Sequence, residues 1–151
     1  MKIALIHGPN FTYLHKREPV LYGAVSLPEI EQYVYATAKR CGISLECHSS
    51  HSNIEGKIID YLEEAYKEKF HGVILNAGAY THTSLAIADC LAWLPLPVVE
   101  VHLSQVFARE SIRHTITISA KCIATIIGCG IMGYGFALEV LAKHCGTIYE
   151  G

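Results

Sequence analysis

Short apolar runs rich in β-branched residues alternate with segments of helical periodicity along most of this chain. The runs lie at residues 3–6, 43–47, 73–75, 98–103 and 122–127, and the helical segments lie at 27–38, 54–67, 84–94 and 132–143. Strands that alternate with helices predict parallel pairing, because each right-handed crossover helix must cover one face of the sheet. We therefore expect an α/β fold with a doubly wound, five-stranded parallel sheet and helices on both faces.

Two of the helical segments carry N-terminal start signals. Ser26 is followed by Glu29, and Ser52 by Glu55, which is the spacing of a capping box. In the second segment the residues spaced three or four apart on one apolar face are Ile54, Ile58, Leu62 and Ala65. This face is predicted to be buried against the sheet.

The composition indicates a globular domain without a general affinity for nucleic acid. The chain has 151 residues, of which 51% are hydrophobic and 17% are charged, so we expect one domain spanning 1–151 with a substantial core. The formal net charge is -2 with neutral histidines, whereas nucleic-acid-binding proteins usually carry a net positive charge or a strongly basic surface. An anionic ligand would need a local binding site.

Cysteine usage and hydropathy predict a cytoplasmic protein. The six cysteines include no Cys-x-x-Cys pair, and a chain of this length can fold without disulfides. Only four apolar residues separate Lys2 from His7, too few for a signal peptide. The uncharged stretch 122–138 is shorter than the ~20 residues of a membrane span and is broken by four glycines, so we expect a strand and helix in tandem.

Two predicted connections are unusually long. Residues 8–25 and 104–119 follow the first and fourth strands, where strand-to-helix loops usually take roughly 2–6 residues. Both leave the carboxyl ends of strands, which is where open α/β sheets bind ligands. The first is a candidate lid over such a site.

Three familiar motifs do not account for this site. Residues 128–133 match the Gly-x-Gly-x-x-Gly pattern between a strand and a helix. A dinucleotide site also needs a further strand and an acidic residue about 20 positions on, and only about 18 residues of this sequence follow the motif. The glycines are therefore expected to allow close packing of the strand against the helix. The histidines, including His48 and His51 in a predicted loop, show no zinc-ligand spacing, so no metal is expected. The Gly-x-Ser-x-Gly sequence of a serine hydrolase is absent.

Polar residues cluster instead at the predicted strand ends. Asn10 and Asn76 follow the first and third strands, and Glu100 and His102 are two apart on the fourth, so their side chains share a face. A carboxylate beside an imidazole can orient the ring and favour its charged form, which suits a proton donor, although the pair could be purely structural.

The first long loop contains a possible base. A turn at Pro19 could bring Arg17 and Tyr22 together, and a guanidinium beside a tyrosine favours the phenolate. An exposed basic loop remains an equally good interpretation from these residues alone.

Several long motifs resemble one known family. Residues 7–10 read His-Gly-Pro-Asn, 17–19 Arg-Glu-Pro and 22–23 Tyr-Gly; residues 76–84 read Asn-Ala-Gly-Ala-Tyr-Thr-His-Thr-Ser; residues 100–104 read Glu-Val-His-Leu-Ser, followed by Ala-Arg-Glu at 108–110 and by Arg113. In order and spacing these resemble the motifs of type II 3-dehydroquinate dehydratases, and the 128–138 stretch resembles that family's glycine-rich element before the last helix. The similarity covers nearly the whole chain.

The resemblance implies a flavodoxin-like fold and a cofactor-free dehydration of 3-dehydroquinate to 3-dehydroshikimate through an enolate. Carried over residue by residue, Tyr22 is the base that removes the proton alpha to the ketone, and Arg17 keeps it ionised. His102 is the acid that protonates the departing hydroxyl, and Glu100 orients it. Asn10 would stabilise the enolate through a water.

The resemblance also implies substrate contacts and an assembly. The residues expected to bind the substrate hydroxyls and carboxylate are Asn76, His82, Arg113 and the backbone amides of Leu103 and Ser104. Asp89 matches a residue that reaches a neighbouring subunit's site, so a trimer, usually stacked into a dodecamer, is expected. A silent homo-oligomeric paralogue and a small-ligand binding module of the same fold remain alternatives.

This sequence departs from the family pattern at a few positions. His7 replaces an Asn, His15 stands where the family commonly has Gly, and Phe107 replaces a frequent His. Residues 47–52 form a slightly longer approach to the second helix. None of these changes removes a residue assigned to chemistry.

Overall fold

The structure, a computed structural model, describes residues 1–16 and 25–147. Five parallel strands form one sheet: β1 (Lys2–His7), β2 (Glu46–His51), β3 (Gly72–Asn76), β4 (Val98–His102) and β5 (Ala124–Ile127). The helices are α1 (Leu27–Arg40), α2 (Glu55–Lys67), α3 (Leu85–Trp93) and α4 (Met132–His144). The strand order β2-β1-β3-β4-β5 is the flavodoxin-like doubly wound order and confirms the predicted fold class.

Two apolar clusters lie on opposite faces of the sheet. One joins α1 and α4 to β1 and β4 through side chains that include Val34, Leu138, Leu5 and Val101. The other joins α2 and α3 to the opposite face through residues that include Leu62, Ile87, Ile6, Leu75 and Val98. Since successive side chains of a strand point to opposite faces, the continuous apolar runs of β1, β3 and β4 supply both clusters at once.

The two predicted capping boxes have different outcomes. At α1 the prediction is confirmed, because the Ser26 hydroxyl accepts a hydrogen bond from the Glu29 backbone N–H and the Glu29 carboxylate accepts one from the Ser26 N–H. At α2 it is wrong. The N-cap is Ile54, which makes no side-chain cap and is 65% exposed, because the Ser52 hydroxyl accepts the N–H of Ile54 in the turn before the helix.

The second strand lies later in the chain than expected. The sequence predicts a strand at 43–47 and a loop around His48 and His51, but β2 begins at Glu46 and both histidines belong to it. β2 pairs only with β1 and forms one edge of the sheet, so its side chains stay largely exposed and carry no apolar pattern. The apolar pattern at Ile43 and Leu45 belongs to the segment that leads into the strand.

The uncharged stretch 122–138 forms β5, a glycine-containing turn and the first half of α4, as the sequence predicts. Within residues 1–16 and 25–147, no helix combines the length and the apolar character needed to cross a membrane.

Candidate active site

A cavity of about 190 Å³ opens at the carboxyl ends of β1, β3 and β4. The sheet order reverses between β1 and β3, which is the place where a doubly wound sheet forms its ligand crevice. The polar side chains that line the cavity are those of Asn10, Asn76, His82, His102, Ser104, Arg109 and Arg113. The cavity is therefore built for a small ligand with several oxygen atoms and negative charge.

A buried carboxylate contacts an imidazole that lines this cavity. Glu100 and His102 lie two residues apart on β4, and Glu100 Oε1 is 2.8 Å from His102 Nε2. Glu100 is fully buried, whereas His102 lines the cavity and is 5% exposed. The carboxylate thus fixes the orientation of a ring that can exchange a proton with a ligand.

Hydroxyl groups from three separate segments surround Glu100. Thr81 donates to Glu100 Oε1, Ser119 donates to Oε2, and Thr125 on β5 donates to Oε2 at 3.2 Å. Burial alone would raise the pKa of Glu100, but the His102 ring and the hydroxyls of Ser119 and Thr81 hold that pKa below its usual value. Glu100 therefore stays ionised despite its burial.

His82 presents a neutral imidazole to the cavity. Its Nδ1 donates to the Thr115 carbonyl at 2.8 Å, and its ring stacks on His102 with 6.5 Å between centroids. Burial lowers the pKa of His82 below its usual value. With Nδ1 protonated, Nε2 is left as a hydrogen-bond acceptor for a ligand hydroxyl.

Asn76 is held from both sides at the end of β3. Its Nδ2 donates to the Tyr134 hydroxyl at 3.0 Å, and its Oδ1 accepts the Gly78 N–H at 3.2 Å. Tyr134 is completely buried, and this burial raises its pKa well above the usual value, so it stays protonated and cannot act as a base near neutral pH. Asn76 keeps a defined amide orientation where it lines the cavity.

Backbone contacts bring the first and third strand ends together. The Gly8 N–H donates to the Asn76 carbonyl at 2.8 Å, and a Cβ added at Gly8 would lie 2.2 Å from the Ala77 carbonyl oxygen. Asn10 follows with a φ of 69° in the left-handed region, which Asn tolerates better than most residues. Only glycine fits at position 8, and the turn it permits directs the chain to Asn10.

The glycine-rich element supports the end of β4 and packs against the sheet. Gly128 donates to the His102 carbonyl and Gly130 to the Leu103 carbonyl, at 3.1 and 3.0 Å. A Cβ at Gly133 would lie 3.3 Å from side chains of Ile126 and Val101. These contacts support the close-packing interpretation of this motif.

Two arginines enter the cavity from the second long loop. Arg113 Nε lies 2.9 Å from Glu110 Oε2, and Arg109 Nε lies 3.6 Å from the same oxygen. Both arginines line the cavity, whereas Glu110 does not. They supply positive charge to the cavity that His102 also lines. Within the described ranges, no three His, Cys, Asp or Glu side chains converge to hold a metal ion.

The comparison with known families agrees with this geometry. A family model described as Dehydroquinase class II matches residues 1–142. The chain belongs to the class II dehydroquinase family.

Individual members of the class II dehydroquinase family match along nearly their whole length. A protein of Rhodopseudomonas palustris named 3-dehydroquinate dehydratase is 44% identical over 96% of this chain and 95% of its own. One of Aspergillus fumigatus named Catabolic 3-dehydroquinase 2 is 47% identical over 94% of this chain and 93% of its own. The crystal structure of a type II dehydroquinase from Butyrivibrio crossotus superposes with a TM-score of 0.86 at 39% identity, covering 93% of this chain and 97% of that one.

The structure brings together most of the residues that the dehydroquinase motifs assign to the site. The predicted residues that line the cavity are Asn10, Asn76, His82, His102, Leu103, Ser104 and Arg113, and Glu100 contacts His102 without lining the cavity itself. Arg17 and Tyr22 fall outside the described residues. Asp89 lies on the exposed side of α3, away from the cavity, and its role toward a neighbouring subunit stays a prediction.

Sequence reasoning missed some contributors to the dehydroquinase site. The Ala-Arg-Glu motif at 108–110 does not by itself predict a role for Arg109, although Arg109 lines the cavity four residues before Arg113. The hydroxyls of Ser119 and Thr125 on Glu100 were also missed, because no local pattern connects residues 19 and 25 positions away.

His7, which stands where the family pattern has Asn, is completely buried at the end of β1. Its ring packs between Phe11 and Tyr134, with centroid distances of 5.0 and 5.5 Å. Neither ring nitrogen has a hydrogen-bond partner among the described residues. Burial lowers the pKa of His7 to about 3, so it is neutral at physiological pH.

Proposed function

We propose that this protein is a 3-dehydroquinate dehydratase, a hydro-lyase that removes water from 3-dehydroquinate to give 3-dehydroshikimate without a cofactor. The observation that carries the proposal is the buried Glu100–His102 pair opening into a cavity lined by arginines and amides. Membership of the class II dehydroquinase family and the names of the relatives support the same reaction. The reaction serves aromatic amino acid biosynthesis through the shikimate pathway, or quinate catabolism.

The acid step is assigned to His102. Its protonated ring donates to the departing hydroxyl, so the C–O bond breaks as an O–H bond forms and water leaves. Glu100, held ionised by the His102 ring and by the hydroxyl groups around it, fixes the ring and stabilises its positive charge before transfer. After the step the pair carries one negative charge and must take up a proton before the next turnover.

The base step is assigned to Tyr22 on the family resemblance. Its phenolate, kept ionised by Arg17, takes the proton alpha to the ketone, and the C–H electrons form an enolate. Asn10 stabilises the enolate oxygen through a water. Preorganised donors of this kind supply much of the rate enhancement when charge develops on an oxygen.

Substrate binding uses the remaining cavity lining. Arg113 binds the carboxylate as a charged hydrogen-bond donor, together with the backbone amides of Leu103 and Ser104. Asn76 and the neutral His82 bind hydroxyl groups. Closure of the 8–25 loop would exclude water from the reacting atoms.

The assembly, domain organisation and location are part of the same proposal. We assign residues 1–151 to a single catalytic domain in a cytoplasmic, trimer-based assembly, most simply a dodecamer. Asp89, exposed on α3, is then available to reach the site of a neighbouring subunit.

Near-ultraviolet absorbance tests the proposal directly. Purified protein mixed with 3-dehydroquinate should produce the absorbance of a conjugated enone, and the rate should be the same in chelator. Tyr22→Phe should abolish turnover while retaining substrate binding. The matched control is Tyr13→Phe, at a tyrosine that is 61% exposed, and it should keep the wild-type rate of turnover. Full activity of Tyr22→Phe would overturn the assignment of the base.

Other results of the same assay would favour the alternatives. A folded, oligomeric protein that gives no absorbance change would indicate a silent paralogue. A protein that instead gains thermal stability with a flavin would indicate a binding module.

A further inference from the structure

Asn53 connects the loops that follow three neighbouring strands. It lies two residues beyond β2, and its side-chain oxygen Oδ1 accepts the backbone N–H of Asn10, beyond β1, at 2.8 Å. Its backbone carbonyl accepts the hydroxyl of Tyr80, beyond β3, also at 2.8 Å. Asn53 is exposed and does not line the cavity, so it has no direct route to a ligand there.

The bond from Asn53 reaches Asn10 at a backbone conformation that needs support. Asn10 has a φ of 69°, which non-glycine residues adopt at an energetic cost. A hydrogen bond to its N–H favours this conformation over the extended alternatives. The conformation in turn places Asn10 in the lining of the cavity.

Asn53 itself is well anchored. The N–H of Ser52 donates to the His7 carbonyl at 3.1 Å, which fixes the chain beside β1 immediately before Asn53. The Tyr80 hydroxyl holds the carbonyl of Asn53 from the other side. The side chain of Asn53 therefore projects toward Asn10 from a fixed backbone.

We propose that Asn53 is a positioning residue that acts through Asn10. This inference rests on the proposed function, in which Asn10 stabilises the enolate. Because the enolate forms only after the substrate is bound, loss of the Asn53 acceptor should lower kcat more than it raises KM.

Substitutions at Asn53 separate its side-chain oxygen from its backbone. Asn53→Ala removes the acceptor and should lower kcat about three- to tenfold, the size expected for one net hydrogen bond, with KM changed less than twofold. Asn53→Asp keeps an acceptor oxygen and should recover most of that rate. Ser52→Ala is the matched control, because it removes a hydrogen bond from the same turn but leaves the bond to Asn10, and its kcat should equal that of the wild type.

A double-substitution cycle with Asn10→Ala distinguishes positioning from general support of the fold. In the Asn10→Ala background, Asn53→Ala should cause little further loss of kcat, because the group it positions is gone. A further loss as large as in the wild-type background would overturn the proposal.

The same experiment separates this inference from the proposed function. If the wild type turns over 3-dehydroquinate and Asn53→Ala has an unchanged kcat, the role of Asn53 is overturned and the proposed function stands. If the wild type shows no turnover, the proposed function is overturned and the catalytic role of Asn53 falls with it. Amide exchange at Asn10, measured by NMR, should be faster in Asn53→Ala than in the wild type, and an unchanged rate would also count against the proposal.

Discussion

Glu100 Oε1 lies 2.8 Å from His102 Nε2 on the same face of β4, with both side chains buried. Glu100→Gln replaces the charged acceptor by a neutral amide, so the ring loses the carboxylate that orients and stabilises its protonated form. We expect kcat to fall at least tenfold, about 1.4 kcal/mol in the activation barrier, with a smaller change in KM. Steady-state kinetics with 3-dehydroquinate measures both parameters.

Thr125→Val provides the comparison for Glu100→Gln. It removes one hydroxyl donor, at 3.2 Å from Oε2, and leaves the contact between Glu100 and His102 in place. Its effect on kcat should be clearly smaller. Equal kcat values for Glu100→Gln and the wild type would refute the assigned role of Glu100.

His7 should make folding sensitive to mild acid. Burial lowers the pKa of His7 to about 3 in the folded protein. In the unfolded chain the same ring takes up a proton at about pH 6.5, where the folded protein keeps it neutral. Stability is therefore full above that pH and declines as the pH falls toward the folded value. Between pH 7 and pH 5 this one group should cost about 2 kcal/mol in the free energy of unfolding.

Urea denaturation at the two pH values tests the role of His7. His7→Phe keeps an aromatic ring between Phe11 and Tyr134 but cannot titrate, so its stability should depend less on pH than that of the wild type. His144→Gln, at an exposed histidine near the end of α4, is the control and should keep the wild-type dependence. Parallel pH dependences for His7→Phe and the wild type would show that another group dominates.

Gly8→Ala should damage both the fold and the cavity. The added methyl group would lie 2.2 Å from the Ala77 carbonyl oxygen, so the ends of β1 and β3 must move apart. We expect a loss of roughly 1–3 kcal/mol in stability and a large loss of kcat, because Asn10 and Asn76 lie on the two displaced segments.

The matched substitution is Gly56→Ala in the first turn of α2, where an added Cβ meets nothing within 4 Å. Since Ala favours helix over Gly, its stability should be unchanged or slightly raised. Thermal denaturation compares the two, and an equally stable, fully active Gly8→Ala would contradict the described contact.

The sequence predicts those elements whose apolar side chains recur with the period of a strand or a helix, or form a continuous buried run. β1, β3 and β4 are buried on both faces and appear as apolar runs, and the two-residue spacing of Glu100 and His102 places them together. β2 is an exposed edge strand with polar residues on both faces, so periodicity could not find it. The start of α2 was predicted to within one residue, but its capping box was not formed, because the Ser52 hydroxyl accepts the N–H of Ile54 instead of an N–H inside the helix.

The interactions that complete the site come from distant parts of the chain. Ser119, Thr125 and Thr81 reach Glu100 from three different segments, and Asn53 reaches Asn10 from the loop after another strand. These contacts depend on the order and register of the sheet, which no short sequence pattern encodes. The sequence therefore predicts which residues lie at the strand ends, but not the distant residues that hydrogen-bond to them.

The contact between Arg113 and Glu110 means that the site carries its own counter-ion. In the proposed function the substrate carboxylate binds a guanidinium whose Nε already faces Glu110 Oε2 at 2.9 Å. Because a guanidinium has five N–H donors, the carboxylate can bind the remaining donors without displacing Glu110. Glu110 then orients the arginine and offsets part of its positive charge, so the loop presents a cation that is already positioned before the ligand arrives.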